Sequence, residues 1–125
     1  MRAARLAVAA TILATVTSAL AAPRSAGERA YQKCYACHAT ERGKNDLEGP
    51  SLHGIIGRRV AAVRGFEYSR GMRAYARKHP QWSERLLDRY IADPEAAIPG
   101  TRMNFPGMRD AKERKALLEY LKKLR

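Results

Sequence analysis

Cys34-Tyr35-Ala36-Cys37-His38 packs the most chemistry into the fewest residues of this chain. Two cysteines three positions apart can each form a thioether to one vinyl group of a haem. The histidine that follows can then place an imidazole nitrogen on the iron. The run therefore reads as a c-type haem attachment site. Two other chemistries share part of the pattern. A C-x-x-C pair can act in thioredoxin-like exchange, but no strand–helix alternation surrounds this one. It can also form half of a zinc site, which needs a second pair of ligands. Cys34 and Cys37 are the only cysteines, and the remaining histidines, His53 and His79, stand 26 residues apart.

A haem iron held on one side by histidine needs a sixth ligand if it is only to pass electrons. An open position invites oxygen or peroxide. Methionine is the usual thioether choice, and it raises the reduction potential. On chemistry alone Met72, Met103 and Met108 all qualify, and a methionine is more often core filler than ligand. Met103 stands out because Pro99-Gly100, just before it, forms a turn that can hold a loop against a haem face.

The chain resembles the class I (monohaem, bacterial-type) cytochromes c. The stretches that carry the resemblance are Gly27 to Tyr31, Cys34 to His38, Gly49-Pro50-Ser51-Leu52-His53-Gly54 and Gly65-Phe66-Glu67-Tyr68-Ser69. Trp82, Tyr90, Pro99-Gly100-Thr101-Arg102-Met103 and Glu113 to Leu121 follow in the family's order. The resemblance implies a small all-α fold, its helices wrapped around one covalently attached haem c. Cys34 and Cys37 would bind the cofactor, and His38 and Met103 its iron. The Pro50 carbonyl would accept the other N–H of His38, fixing its tautomer. His53 would be structural, bonding backbone across a loop. Arg58, Tyr68 and Trp82 would surround the haem propionates, since two carboxylates drawn into an apolar pocket need donors. Tyr90 would stand beside the methionine ligand. Met72 falls where the animal pattern has asparagine.

The frame that must position these residues is small. The chain has 125 residues and a formal charge of +12, from 24 basic and 12 acidic side chains. Met1 to Ala21 reads as a cleaved signal peptide: Arg2 and Arg5, an apolar stretch from Leu6 to Val16, then small-x-small at Ala19-Leu20-Ala21. Residues 22–125 form the expected cytochrome c domain, carrying +10 once Arg2 and Arg5 are gone. Ser25 and Glu28 make a capping box opening a helix that leads to Cys34. Gly27 inside that helix suggests close approach of another element, in the family the last helix. Residues 40–63 read as loop. A short helix is expected from Ser69 to His79, and another from Glu84 to Ala92, capped by Ser83 and ended by Asp93-Pro94. Asp110 and Glu113 make a second capping box for a last helix with Leu117, Leu118, Leu121 and Leu124 inward.

The expected function is a soluble periplasmic one-electron carrier, monomeric and not an enzyme. A peroxidase-like reading lacks a distal histidine or arginine constellation, and a nucleic-acid-binding reading lacks interleaved aromatics. Redox partners with acidic surfaces are expected at the haem edge, met by Lys33, Lys44, Arg102 and Arg109. A dedicated subunit of one dehydrogenase or oxidase complex has the same sequence features as a free shuttle. Nothing after residue 21 is apolar for long enough to span a membrane.

Overall fold

The structure is a computed structural model describing residues 21–125; residues 1–20 of the expected signal peptide lie outside the described residues. Among the described residues five helices appear in order: α1 Ala26–Tyr31, α2 Arg70–Lys78, α3 Glu84–Ala92, α4 Pro94–Ala97 and α5 Ala111–Lys122. The only β feature among the described residues is an isolated antiparallel bridge between Arg59 and Gln81. The fold is all-α, as the sequence indicated.

Local polar residues start each helix. The Glu28 N–H donates to Ser25 Oγ at 3.2 Å, and the Ser25 N–H donates back to the Glu28 carboxylate at 2.6 Å. That reciprocal pair satisfies two amides that the first turn leaves without partners. Ser69 and Ser83 cap α2 and α3 in the same way, accepting from the amides of Met72 and Leu86. The Asp110 carboxylate accepts from Lys112 and Glu113 at the start of α5. The expected return bond from Glu113 does not form. Its carboxylate instead meets Lys33 Nζ at 2.7 Å, joining the end of the attachment helix to α5. One helix was not foreseen. Asp93-Pro94 ends α3 and also begins α4, with Asp93 accepting from the Ala96 amide and Pro94 at the first helical position, where its missing N–H costs nothing.

The helices pack as α1 on α5, α3 on α5 and α3 on α4. Gly27 lets α1 and α5 touch. A Cβ there would stand 2.5 Å from both the Ala116 carbonyl oxygen and Tyr120 Cβ. One turn on, the rings of Tyr31 and Tyr120 lie 5.6 Å apart. Across the other seam, Arg114 donates to Asp88 at 2.8 Å and to the Met108 and Arg109 carbonyls at 2.9 Å, clasping α3, α5 and the loop between them. Ile98, Met108, Leu117 and Leu121 fill the space enclosed. By contrast α2 buries no residue fully, and it rests on Met72, Tyr75 and Ala76 only partly covered.

Gly27→Val should therefore cost stability at the α1–α5 seam. Valine recovers part of the ~1 kcal/mol that glycine costs a helix. The overpacking it forces is worth about 1–3 kcal/mol, and one of the two clashing atoms is a backbone oxygen that cannot rotate away. Overpacking should win. Chemical denaturation of the holoprotein checks this, and a variant as stable as the parent would show that the seam does not pass through Gly27.

Candidate haem-attachment site

Helix α1 delivers the attachment run. Past Tyr31 the helix tightens into successive three-residue turns instead of continuing to Cys34: the Lys33 amide bonds Ala30, Cys34 bonds Tyr31, and Cys37 bonds Cys34. This winding puts Cys34, Cys37 and His38 on one short bend. The Tyr31 hydroxyl donates to the His38 carbonyl at 2.5 Å, so α1 also grips the far end of the run. Both thiols are free. Cys34 is half-buried and Cys37 exposed.

The thiol chemistry separates the alternatives. Burial pushes the Cys34 thiol up to about 11, with neighbouring Cys37 adding to the shift. An attacking thioredoxin-type cysteine needs the opposite, an accessible thiolate near neutral pH. The zinc reading finds no support either. Among the described residues no group of three or more His, Cys, Asp or Glu side chains is placed to hold a metal ion.

His38 is fixed from behind. Its Nδ1 lies 2.7 Å from the Pro50 carbonyl oxygen. A carbonyl can only accept, so Nδ1 carries the proton and Nε2 holds the lone pair. Burial lowers the imidazole pKa, the Pro50 bond works against that, and Arg58 adds to the lowering. The ring stays neutral, as a metal ligand must. Gly49, to which the sequence assigned no role of its own, lies flat against the ring: a Cβ on it would fall into contact with His38 Cε1, Nδ1 and Nε2. The Gly49 N–H also donates to the Cys37 carbonyl at 2.8 Å. Gly49-Pro50 thus forms one wall, with the glycine giving access and the proline carbonyl setting the tautomer.

The other expected residues sit on different segments. His53 Nδ1 lies 3.2 Å from the Thr40 carbonyl, and its Nε2 is buried without a partner, the affordable choice for a lone pair with no proton to place. This is the cross-loop structural role the resemblance implied. Arg58 is partly buried, its guanidinium donating to the carbonyls of Ser51 and His53. The Tyr68 hydroxyl accepts from the Val63 amide. Trp82 is buried and stacks on Tyr90 with ring centroids 5.6 Å apart. The Tyr90 and Thr101 hydroxyls are 2.5 Å apart, and Thr101 Oγ1 in turn accepts from the Met103 amide at 3.3 Å. Tyr90 therefore holds the Met103 loop from α3. Gly71 supports the same loop from α2, since a Cβ there would strike the Pro99 carbonyl oxygen.

The three methionines are now distinct. Met108 is 2% exposed, its amide bonded to the Ile91 carbonyl, and it belongs to the core. Met72 lies in the first turn of α2. Met103 is half-buried on the Pro99-Gly100 loop. The donor set fits a covalently held haem: two unpaired thiols on one bend, a neutral imidazole with its free nitrogen set by a carbonyl, and a half-buried thioether on a braced loop.

An all-α scaffold carrying a C-x-x-C-H bend braced in this way defines a helical haem-attachment protein. Comparison with known proteins narrows the class. The cytochrome c family model matches residues 25–125. Cytochrome c of Ginkgo biloba is 36% identical over 87% of this chain and 95% of its own length. Cytochrome c2 iso-2 of Magnetospirillum molischianum is 41% identical over 74% and 91%. Among solved structures, cytochrome cH from Methylobacterium extorquens matches with a TM-score of 0.69 and 33% identity, over 78% of this chain and 94% of that one. The chain belongs to the cytochrome c family. It is an electron-transfer haem protein whose cofactor is one covalently bound haem c with iron.

Proposed function

We propose that this chain is a periplasmic one-electron carrier in which Cys34 and Cys37 would hold the haem by thioether bonds and His38 and Met103 would ligate its iron. Pro50 and Gly49 carry the reading, because together they set the tautomer and orientation of His38 before any metal chemistry begins. When bound, the haem supplies the reversible one-electron change at iron. The chain's own residues do the rest. Pro50 keeps the proton on Nδ1, Tyr90 and Thr101 brace the Met103 loop, and Arg58 brings a partly desolvated positive charge near His38. With His38 and Met103 as its ligands the iron would have no position left for a substrate, and on this reading the chain carries electrons and is not an enzyme. Residues 1–21 serve as a cleaved export signal, and residues 22–125 are the working domain. Among the described residues no helix is long and apolar enough to cross a membrane.

Partner redox proteins meet this carrier through acidic surfaces, guided by Lys33, Lys44, Arg102 and Arg109. Lys33 pairs with Glu113 at 2.7 Å and Arg102 with Glu67 at 3.4 Å, so part of their charge is already offset. Lys44 and Asp46 are 3.9 Å apart, with Asp46 73% exposed, a weak pair. Arg109 has no carboxylate within ion-pair distance among the described residues, so steering should lean most on Arg109. Exposed charges are screened beyond about 8 Å at physiological salt. Bimolecular electron-transfer rates with an anionic redox partner should fall steeply as ionic strength rises, and Arg109→Glu should flatten that dependence more than Lys33→Glu. Rates indifferent to salt would rule out charge steering and favour a fixed subunit of one complex.

A further inference from the structure

Met103 follows directly on a tight turn, Ile98-Pro99-Gly100-Thr101. The Thr101 amide donates to the Ile98 carbonyl at 3.0 Å, and Gly100 takes a φ of +74°. Proline second and a positive-φ glycine third is the type II pattern. The middle peptide of the turn, Pro99–Gly100, is trans, so its carbonyl and its N–H point in opposite directions. The bond that closes the turn uses neither of them.

Both ends of this peptide are nonetheless met. On one side the Pro99 carbonyl oxygen lies so close to Gly71 of α2 that a Cβ there would strike it. On the other, the Gly100 N–H donates to the Glu95 carboxylate at 3.0 Å. Helix α4 aims that carboxylate. Asp93 accepts from the Ala96 amide at 3.1 Å and Pro94 takes the first helical position, which fixes the backbone from which Glu95 projects. The Ala97 amide donates to the Asp93 carbonyl and the Ile98 amide to that of Pro94, so the helical turn runs straight into the type II turn.

Glu95 has no competing partner. Among the described residues no cation stands within ion-pair distance of it, in a chain with 24 basic and 12 acidic side chains. It is exposed, so it is not held by packing either. A carboxylate on a backbone N–H makes one of the stronger hydrogen bonds. This one ties the Met103 loop to α4 on its exposed side. The Tyr90–Thr101 bond, with the Thr101 hydroxyl accepting in turn from the Met103 amide, ties the same loop to α3. The remaining polar tie, Arg102 to Glu67 at 3.4 Å, joins two exposed side chains and is weak.

We propose that Glu95 is a positioning residue for the iron ligand: its bond to Gly100 holds the Met103 loop in place and so limits how often Met103 leaves the iron. The inference rests on the reading of Met103 as that ligand. An added ligand such as cyanide enters only while Met103 is away, so its rate of binding follows the local opening of the loop.

The test compares Glu95→Ala, Glu95→Gln and Met103→Ala with the parent, all as oxidised holoprotein. The two Glu95 variants remove the same charge, but glutamine keeps an oxygen that can accept from Gly100. Hydrogen exchange of the Gly100 amide reads the bond itself, exchange of the buried Leu117 amide reads global unfolding, and the rate of cyanide binding reads loss of Met103. In Glu95→Ala, Gly100 exchange and cyanide binding should both rise at least about threefold, within what one hydrogen bond contributes. Leu117 exchange should stay at the parent rate, and Glu95→Gln should fall closer to the parent than to the alanine variant. Unchanged Gly100 exchange in Glu95→Ala would show that the bond holds nothing and overturn the proposal. Faster exchange with unchanged cyanide binding would overturn it too, since the bond would then be only structural. An equal rise in Glu95→Gln, which would mean charge alone, or a rise shared by Leu117 counts against it in the same way. Failure of the ligand reading leaves a different mark: Met103→Ala would bind cyanide at the parent rate, and the proposal falls through Met103 instead of through Glu95.

Discussion

Replacing both Cys34 and Cys37 by alanine should strip the haem from the polypeptide on denaturing gels and abolish the cooperative thermal transition. The core explains the second effect. A domain of this size buries a modest fraction of its surface and has little stability to spare. Here full burial is confined mainly to α3, α5 and the loops beside them, while Leu52, Ile56, Met72, Met103 and Phe105 are only partly covered. A large apolar cofactor adds substantially to such a core, and whatever binds the folded state alone raises its stability by mass action. Haem staining on a denaturing gel and a thermal melt followed by circular dichroism check the two effects separately. Haem retained through denaturation by the double variant would contradict the attachment assignment. A cooperative melt of the haem-free chain would contradict only the claim about the core.

The second large effect belongs to Met103. Met103→Ala should open an iron position, lower the reduction potential and raise cyanide affinity at least about tenfold, or about 1.4 kcal/mol. The direction follows from the loss of a thioether ligand, which favours reduced iron. Met108→Ala makes the sharper control. Met108 is buried in the same core cluster as Ile98 and Leu117, so its truncation should cost about 2–5 kcal/mol of stability while leaving the ligand spectrum unchanged. Stability and ligation then come apart, one variant showing each. An unaltered spectrum in Met103→Ala would remove Met103 from the iron.

Much of this architecture was legible because it is local. Ser25, Ser69, Ser83 and Asp110 are short polar side chains that bond amides two or three residues ahead, so the start of each long helix is written within a few positions. Asp93-Pro94 was read as a stop although the same pair is also a good start. The structure uses it both ways, and that is how α4 was missed. What sequence did not reveal is non-local. Glu113 looked like the return half of a capping box, but Lys33, 80 residues away, offered its carboxylate a full charge instead of a backbone N–H. Gly49 against the His38 ring and Gly71 against the Pro99 carbonyl are requirements of close approach, and nothing in the flanking residues announces them. Gly27 was legible only because a glycine inside a helix is conspicuous.

The charge pattern teaches the same lesson. A total of +12 says that the chain is basic, not where its charge is free. Lys33 and Arg102, conspicuous beside the haem motifs, each face a carboxylate. Among the described residues, the arginines with no carboxylate in ion-pair distance include Arg109 and several exposed on α2 and α3, where the sequence had suggested only a short helix and a core-facing one.

The most direct test of the account is the visible absorption spectrum of the purified protein in both oxidation states, with haem extraction by acidified organic solvent alongside. The account predicts a low-spin, six-coordinate haem when oxidised and when reduced, unchanged by added azide at modest concentration, and haem that stays with the protein through extraction. A high-spin or five-coordinate spectrum in either state, or haem that leaves with the solvent, would contradict the closed His38–Met103 site on Cys34 and Cys37.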